Sequence, residues 1–233
     1  MTDQPGARTA VVTAGASGLG RAIVEHLAGG GWRVVSTYRS SAEAARAIER
    51  EHGAVMVEAD LGTPAGRAAL AAAAGPEVHL LVNNLGVYPE AYVEDIDTEL
   101  FEAVFRLTCT AGFDLVKRLS PRMKAGARIV FLGDSGADRI EARAQATPYH
   151  IAKLGVHVLT RTFAQRLGPR GIRVNMISPG FLENSVGEPG EAIPLGGPTP
   201  LTAILGALDF VLSPEADAVS GSNLLVNGGW NLG

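Results

Sequence analysis

The chain has 233 residues, of which 46% are hydrophobic and 19% charged, and its net charge is -4. That length suits one large domain with its own core, and that composition excludes a disordered or fibrous chain. The negative balance argues against nucleic acid as the main partner, and the single cysteine, Cys109, excludes an internal disulfide and a thiolate metal cluster.

The first ten residues are polar and lack the apolar run of a signal peptide. No stretch approaches the ~18 unbroken apolar residues of a membrane span. A cytoplasmic location, with no membrane partner, is the expectation. Cys109 reads as a small buried hydrophobe. The five histidines (His26, His52, His79, His150 and His157) show no metal spacing, so no metal is expected. His150 and His157 read as structural or exposed.

The first strand-like segment, 9–13, is apolar and β-branched, and it runs into Thr13-Ala14-Gly15-Ala16-Ser17-Gly18-Leu19-Gly20. A helical pattern follows over 18–29. Glycines at such a turn let the backbone approach a pyrophosphate, and the helix amino end supplies free N–H groups and a favourable dipole. Any tight turn needs glycine, and the spacing is not GxGxxG. Position therefore carries the signal: first strand, then first helix.

The second strand, 33–37, leads into Tyr38-Arg39-Ser40-Ser41. An acidic residue here would accept from ribose hydroxyls. Arg39 and Ser40 instead offer a cation and donors, which suits the 2′-phosphate of NADP(H) rather than NAD(H). An exposed surface arginine is the plainer alternative. A helix over 42–52 and a strand over 54–58 lead to Asp60-Leu61, where Asp60 could equally cap a helix. A helix over 64–74 precedes the fourth strand, 80–83, which ends in Asn83-Asn84-Leu85-Gly86. There the Asn side chains can tie backbone groups together, and Gly86 lets the chain pass close to a ligand.

One helix is expected over 99–123, then a strand over 128–132 that ends in Gly133-Asp134-Ser135. The next helix, 148–167, carries Tyr149 and Lys153. Positions i and i+4 share a helical face. A nearby ammonium favours phenolate and makes a tyrosine usable as a proton donor near neutrality. The sixth strand, 173–177, reaches Ser178-Pro179-Gly180. Residues 181–200 then hold Gly187, Pro189, Gly190, Pro194, Gly196, Gly197, Pro198 and Pro200. That segment reads as a mobile loop or pair of turns, and by its place as a substrate lid; a plain surface loop is the alternative. A helix over 201–212 and a strand over 223–226 complete the chain.

Strands alternating with helices imply a parallel sheet covered on both faces. The fold class is therefore α/β, a Rossmann-type doubly wound seven-stranded parallel sheet, in a single domain over 1–233.

Thr13, Gly18 and Gly20 resemble the TGxxxGxG turn of the short-chain dehydrogenases/reductases, with Ala14 where that family usually has its first glycine. Asn83-Asn84-Leu85-Gly86 resembles its NNAG turn, and Tyr149 with Lys153 its YxxxK pair. Ser178-Pro179-Gly180 resembles its PG turn, and Val219-Ser220-Gly221 with Val226-Asn227-Gly228-Gly229-Trp230 its last strand. The resemblance covers about residues 8 to 230. It implies NADP(H) held by Thr13, Gly15, Ser17, Gly18, Leu19, Gly20, Arg39, Ser40, Asp60, Leu61, Asn84, Gly86, Lys153, Pro179, Gly180 and Leu182. Asp60 would touch the adenine and the Leu182 backbone the carboxamide. For Asn84 and Gly86 a purely structural role is as good a reading.

The same resemblance implies Tyr149 as general acid, with Lys153 lowering its pKa and holding the ribose. The family's serine is missing at position 136, which is Gly; register puts Asp134 in its slot, beside Ser135. Pteridine reductases carry Asp there. Either Asp134 or Ser135 could partner Tyr149, and either could be a turn cap. Arg106 stands where the family often has an Asn whose backbone carbonyl holds a relay water at a helix kink. The closest resemblance is to pteridine-reductase-like and 3-oxoacyl-carrier-protein-reductase-like members.

The expected function is NADPH-dependent reduction of a small carbonyl or pterin-type C=N substrate. Val87, Phe181, Leu182 and Val186 suggest a partly apolar pocket, or core. A non-redox or catalytically altered NADP(H)-binding protein on the same fold is the alternative, motivated by Arg106 and the missing serine. Homo-oligomerisation, as a dimer or tetramer, is implied by resemblance alone.

Overall fold

The computed structural model describes residues 8–231; residues 1–7 and 232–233 of the expected domain lie outside the described residues. The strands are β1 (Thr9–Val12), β2 (Arg33–Tyr38), β3 (Val55–Glu58), β4 (Leu80–Asn83), β5 (Arg128–Leu132), β6 (Arg173–Pro179) and β7 (Asn223–Val226). The helices are α1 (Gly18–Gly29), α2 (Ala42–His52), α3 (Pro64–Ala73), α4 (Thr98–Phe105), α5 (Ala111–Leu119), α6 (Thr147–Leu167) and α7 (Leu201–Leu212).

All seven strands pair in parallel, in the order β3-β2-β1-β4-β5-β6-β7. This is the doubly wound α/β sheet that the strand–helix rhythm predicts. β1, β4 and β5 are buried at every residue, as central strands covered on both faces must be. Side chains alternate between two cores. Ala10 and Val12 pack on one face with Ile23 and Leu27 of α1, Ile48 of α2 and Leu208 of α7. Val11 packs on the other with Leu70 of α3, Leu115 of α5 and Val156 of α6.

Local chemistry sets the helix ends. Thr63 caps α3 by accepting from the Gly66 amide, ahead of Pro64 at the first helical position. Asp97 caps α4 by accepting from the Leu100 amide at 2.8 Å. Gly53 closes α2 in the left-handed region at φ 66°.

The helix expected over 99–123 departs from expectation in one respect. Its body is continuous from α4 to α5, but Arg106–Thr110 form a π-turn between them. The extra residue kinks the helix and frees backbone carbonyls from the i−4 ladder. Arg106, the residue in place of the usual Asn, opens that kink and is itself exposed.

The winding reverses direction between β1 and β4, so their loops part at the sheet's carboxyl edge and leave a crevice, the usual ligand position in such sheets.

Candidate active site

The glycine-rich turn after β1 is built by close approach. A Cβ on Gly15 would stand 2.1 Å from the Ser36 hydroxyl, and one on Gly20 would stand 2.1 Å from the Ala14 carbonyl. Gly18 takes φ 53°. Ala14 takes φ 55° with a side chain, so the alanine in place of the family's first glycine keeps the turn's shape at the expense of backbone strain. Its amide donates to Thr37 Oγ1 at 3.0 Å, which holds the turn against β2. Ser17 precedes α1 without capping it and is exposed, leaving the first-turn amides and the hydroxyl facing outward.

Thr13 and Asn84 work on each other. Thr13 Oγ1 accepts from the amides of Asn84 and Leu85 at 2.8 and 2.9 Å, and Asn84 Nδ2 donates to the Thr13 and Ala14 carbonyls. They lock the β1 and β4 turns together, the structural role that sequence reasoning left open for Asn84. A crevice of about 200 Å³ lies beside this lock, and Ser17, Arg39, Ser40, Asp60 and Leu61 line it. Arg39 and Ser40 are exposed at its rim, Leu61 is buried, and Leu19 is half-buried against the α1 core. Asp60 also accepts from the Gly62 amide at 2.8 Å, so it shapes its own turn.

These features fit a nucleotide diphosphate: glycines without room for a Cβ, a helix amino end with an uncapped serine, and a rim cation. Metal chemistry has no comparable support. Among the described residues no group of three or more His, Cys, Asp or Glu could hold an ion.

Further along the same edge, Lys153 is 4% exposed, and its ammonium donates to the Leu132 carbonyl at 2.7 Å. Gly86 makes room for it, because a Cβ there would stand 3.2 Å from Nζ. Lys153 Nζ lies 5.4 Å from the centre of the Tyr149 ring. Burial brings the lysine down to about 8, with Asp134 pulling the other way.

The expectation that Lys153 lowers the Tyr149 pKa is not met. Burial pushes Tyr149 well above its ordinary value, and the Asp134 carboxylate and Tyr88 push in the same direction. The ammonium is engaged with a carbonyl rather than with the phenol, and its own burial weakens it as a charge.

Asp134 and Ser135 separate cleanly. Ser135 is 1% exposed and meets Asn231 Nδ2 at 3.4 Å. Asp134 is partly exposed, accepts from the Gly136 amide at 2.9 Å, and acts electrostatically on Tyr88, Tyr149, His150 and Lys153. The carboxylate is the group that faces the tyrosine.

Two residues escaped the sequence reading. Tyr88 sets its ring edge-on to Tyr149, with centroids 5.1 Å apart. His150, read from sequence as structural or exposed, is 5.4 Å from the Tyr149 ring and 6.1 Å from Tyr88. Burial holds its imidazole below the ordinary value, against Asp134. Tyr88 follows the Asn83–Gly86 turn by two residues, a signal that could have found it. His150 carried no such signal, because its ring direction depends on the turn that starts α6.

The segment 181–200 is pinned at its base. Leu182 bridges Thr199, and Glu183 accepts from the Leu201 amide at 2.9 Å, capping α7. The Leu182 amide donates to Ser185 Oγ at 3.0 Å, so the N–H expected to meet a carboxamide is used within the loop. Gly180 passes the last strand closely; a Cβ there would stand 2.8 Å from the Asn227 Cα. Pro179 ends β6 beside it. Of the suggested apolar wall, Val87 lines the nucleotide crevice, Phe181 packs on Trp230, Leu182 packs against the α1 side of the core, and Val186 is exposed. No helix among the described residues is long and apolar enough to cross a membrane.

A family model described as enoyl-(acyl carrier protein) reductase matches residues 13–231. The 3-oxoacyl-[acyl-carrier-protein] reductase MabA of Mycobacterium tuberculosis is 29% identical over 242 residues, covering 97% of this chain and 94% of that protein. A short-chain dehydrogenase from Burkholderia cenocepacia, solved with NADP, superposes with TM-score 0.87 at 28% identity, over 95% of this chain and 97% of that one. A blue fluorescent protein from a metagenomic library, solved with NADPH, superposes with TM-score 0.89 at 29% identity, over 96% and 98%. With its sheet order, its glycine turn and these matches across nearly the whole chain, the protein belongs to the short-chain dehydrogenase/reductase family of oxidoreductases.

Proposed function

We propose that this chain binds NADP(H) and reduces a small carbonyl compound, with Tyr149 as the general acid. The observation that carries the reading is Tyr149 above a buried Lys153, on the same sheet edge as a crevice that presents Arg39 and Ser40. The rim cation favours a cofactor with a 2′-phosphate, and the NADP and NADPH complexes of the similar structures support the same choice. Bound NADPH supplies the hydride. Ser17 and the first-turn amides of α1 hold the diphosphate, and Asp60 and Leu61 wall the adenine end. Lys153 orients the nicotinamide ribose. Tyr149 gives its proton to the carbonyl oxygen as the carbon is reduced, so the ketone leaves as an alcohol.

Asp134 takes the place that a serine hydroxyl commonly fills. A carboxylate accepts hydrogen bonds and donates none, so it suits a substrate bearing an N–H or O–H beside the reacting carbon. A pterin-type C=N substrate meets that description, and a 3-oxoacyl or polyketide ketone fits through the likeness to MabA. Assembly as a dimer or tetramer in the cytoplasm belongs to the same proposal; light scattering tests the assembly.

The experiment is NADPH oxidation by the purified protein with a panel of ketones, 3-oxoacyl thioesters and dihydropterins. Turnover with one class identifies the substrate. Tight NADPH binding with no turnover across the panel would overturn the reductase reading in favour of a non-redox NADP(H)-binding protein.

A further inference from the structure

The residues after β7 do more than finish the sheet. Trp230 sets its ring edge-on to Phe181, with centroids 6.5 Å apart, at the start of the 181–200 segment. The Gly228 carbonyl accepts from the Leu195 amide at 3.0 Å near the other end of that segment. Asn227 folds the tail back on itself: Oδ1 accepts from the Gly229 amide at 3.1 Å, and Nδ2 donates to the Trp230 carbonyl. The chain then reaches Asn231 in the left-handed region, at φ 59°, a conformation that asparagine tolerates better than most residues.

Asn231 faces the turn after β5 with both of its polar ends. Its side-chain amide meets the buried Ser135 hydroxyl at 3.4 Å, and its carbonyl accepts from the Arg139 guanidinium. Gly136 lies between these contacts. A Cβ there would stand 3.5 Å from Asn231 Nδ2 and 2.6 Å from Arg143 Nη2, so the turn has no room for a side chain. With Ser135 drawn inward, its neighbour Asp134 is left on the other side of the backbone, toward Tyr149.

We propose that Asn231 is a positioning residue: by holding Ser135 and Arg139 it fixes the turn after β5 so that the Asp134 carboxylate, rather than the Ser135 hydroxyl, is presented to Tyr149. The tail thereby links two parts of the site, because its other contacts seat the 181–200 segment. This rests on the reading of Tyr149 as the reacting acid, but the orientation of Asp134 can be tested without turnover.

His150 is the reporter. It is faced by Asp134, Glu141 and Arg143 from the β5–α6 connection, by Tyr88 from the β4–α4 connection, and by Tyr149 on its own helix. Asp134 and Glu141 raise its midpoint and Arg143 lowers it. His157, farther along α6, is set instead by burial, Asp138 and Arg161 and serves as an internal control. The experiment is proton NMR titration of the histidine rings in the full chain, for wild type, Asn231→Gly, Ser135→Ala and Asp134→Asn. Asn231→Gly keeps the left-handed backbone accessible, and Ser135→Ala breaks the same contact from its other end, so a folding failure in one leaves the other to decide.

Both variants are expected to lower the His150 midpoint by about half a pH unit or more, as Asp134→Asn does. Asn231→Gly on the Asp134→Asn background adds nothing, and His157 does not move. If His150 stays put in both Asn231→Gly and Ser135→Ala while Asp134→Asn moves it, or if Asn231→Gly still shifts it without Asp134, the proposal is overturned. Wild type that shows these shifts yet oxidises no NADPH would sink the reductase reading and leave the positioning role standing.

Discussion

Lys153 donates its ammonium to the carbonyl oxygen of Leu132 at 2.7 Å, with almost no water around either group. Folded, the lysine releases its proton near pH 8; unfolded, near 10.5. Unfolding therefore takes up a proton between those values, and the stability this residue allows rises with pH across that window. Below pH 8 the full cost of burying the charge is present. Lys153→Met should be more stable than wild type at pH 7 by about 1–2 kcal/mol, after the unpaired Leu132 carbonyl is counted. Between pH 7 and pH 10 the comparison should move in favour of wild type, by on the order of 3 kcal/mol at most. Urea denaturation at the two pH values checks this; a gap that does not change with pH would show that the lysine is not the titrating group.

Tyr149→Phe removes the proton donor while keeping the ring against Tyr88 and His150. NADPH oxidation should fall by at least about 10³-fold, with the NADPH dissociation constant changed by less than about threefold. Fluorescence titration and a coupled rate measurement separate the two. A variant that keeps a tenth of the rate would remove Tyr149 from its assigned role.

Asp134→Asn should reshape the pH dependence. The carboxylate raises the Tyr149 pKa, so its loss lets the phenol ionise at lower pH. Reduction needs the protonated phenol. The alkaline fall of kcat/KM should therefore move to lower pH in the variant. An unchanged or rising alkaline limb would mean that Asp134 does not act on Tyr149.

Arg39→Ala tests the cofactor choice. The exposed guanidinium has no carboxylate competitor within the crevice rim other than Asp60, and its part is to meet a 2′-phosphate. NADPH affinity should weaken by about 10- to 100-fold, and NADH affinity should barely change. Equal weakening of both would make Arg39 a general anion contact.

Ala14→Gly should stabilise the fold. Ala14 holds φ 55°, a conformation that costs a side-chain-bearing residue about 1–2 kcal/mol. The added freedom of glycine in the unfolded chain takes back part of this, leaving a gain of about 0.5–1 kcal/mol. Thermal unfolding without ligand reads it. A lower melting temperature would show that the Ala14 methyl contributes packing that outweighs the strain.

The sheet was legible because its signal is periodic and local: short apolar strands, helical spacing between them, and turn residues at each junction. The glycine turn, Arg39 and the Tyr149–Lys153 pair were legible for the same reason, each lying within a few residues of an element end. The π-turn was not. Residues 98–119 keep an apolar helical pattern throughout, and one extra residue is within the tolerance of any periodicity. Nor could sequence choose between Asp134 and Ser135. That choice hangs on Asn231, 96 residues away, through a contact that only the closed fold creates. The direction of the Tyr149 shift was misjudged because proximity to Lys153 was inferred without the Leu132 carbonyl that occupies the ammonium.

The π-turn has a geometric consequence. An α-helix advances about 100° of azimuth per residue, so one residue more than the regular count rotates everything after it by that angle. α4 meets α6, while α5 turns Leu115 and Leu119 toward α3 and the sheet. The two segments share an axis but not a phase. Deleting a single residue within Arg106–Thr110 would bring them back into phase and swing α5's apolar stripe off its partners, so the shortest possible edit to this chain would act as a rotation rather than a loss of contacts.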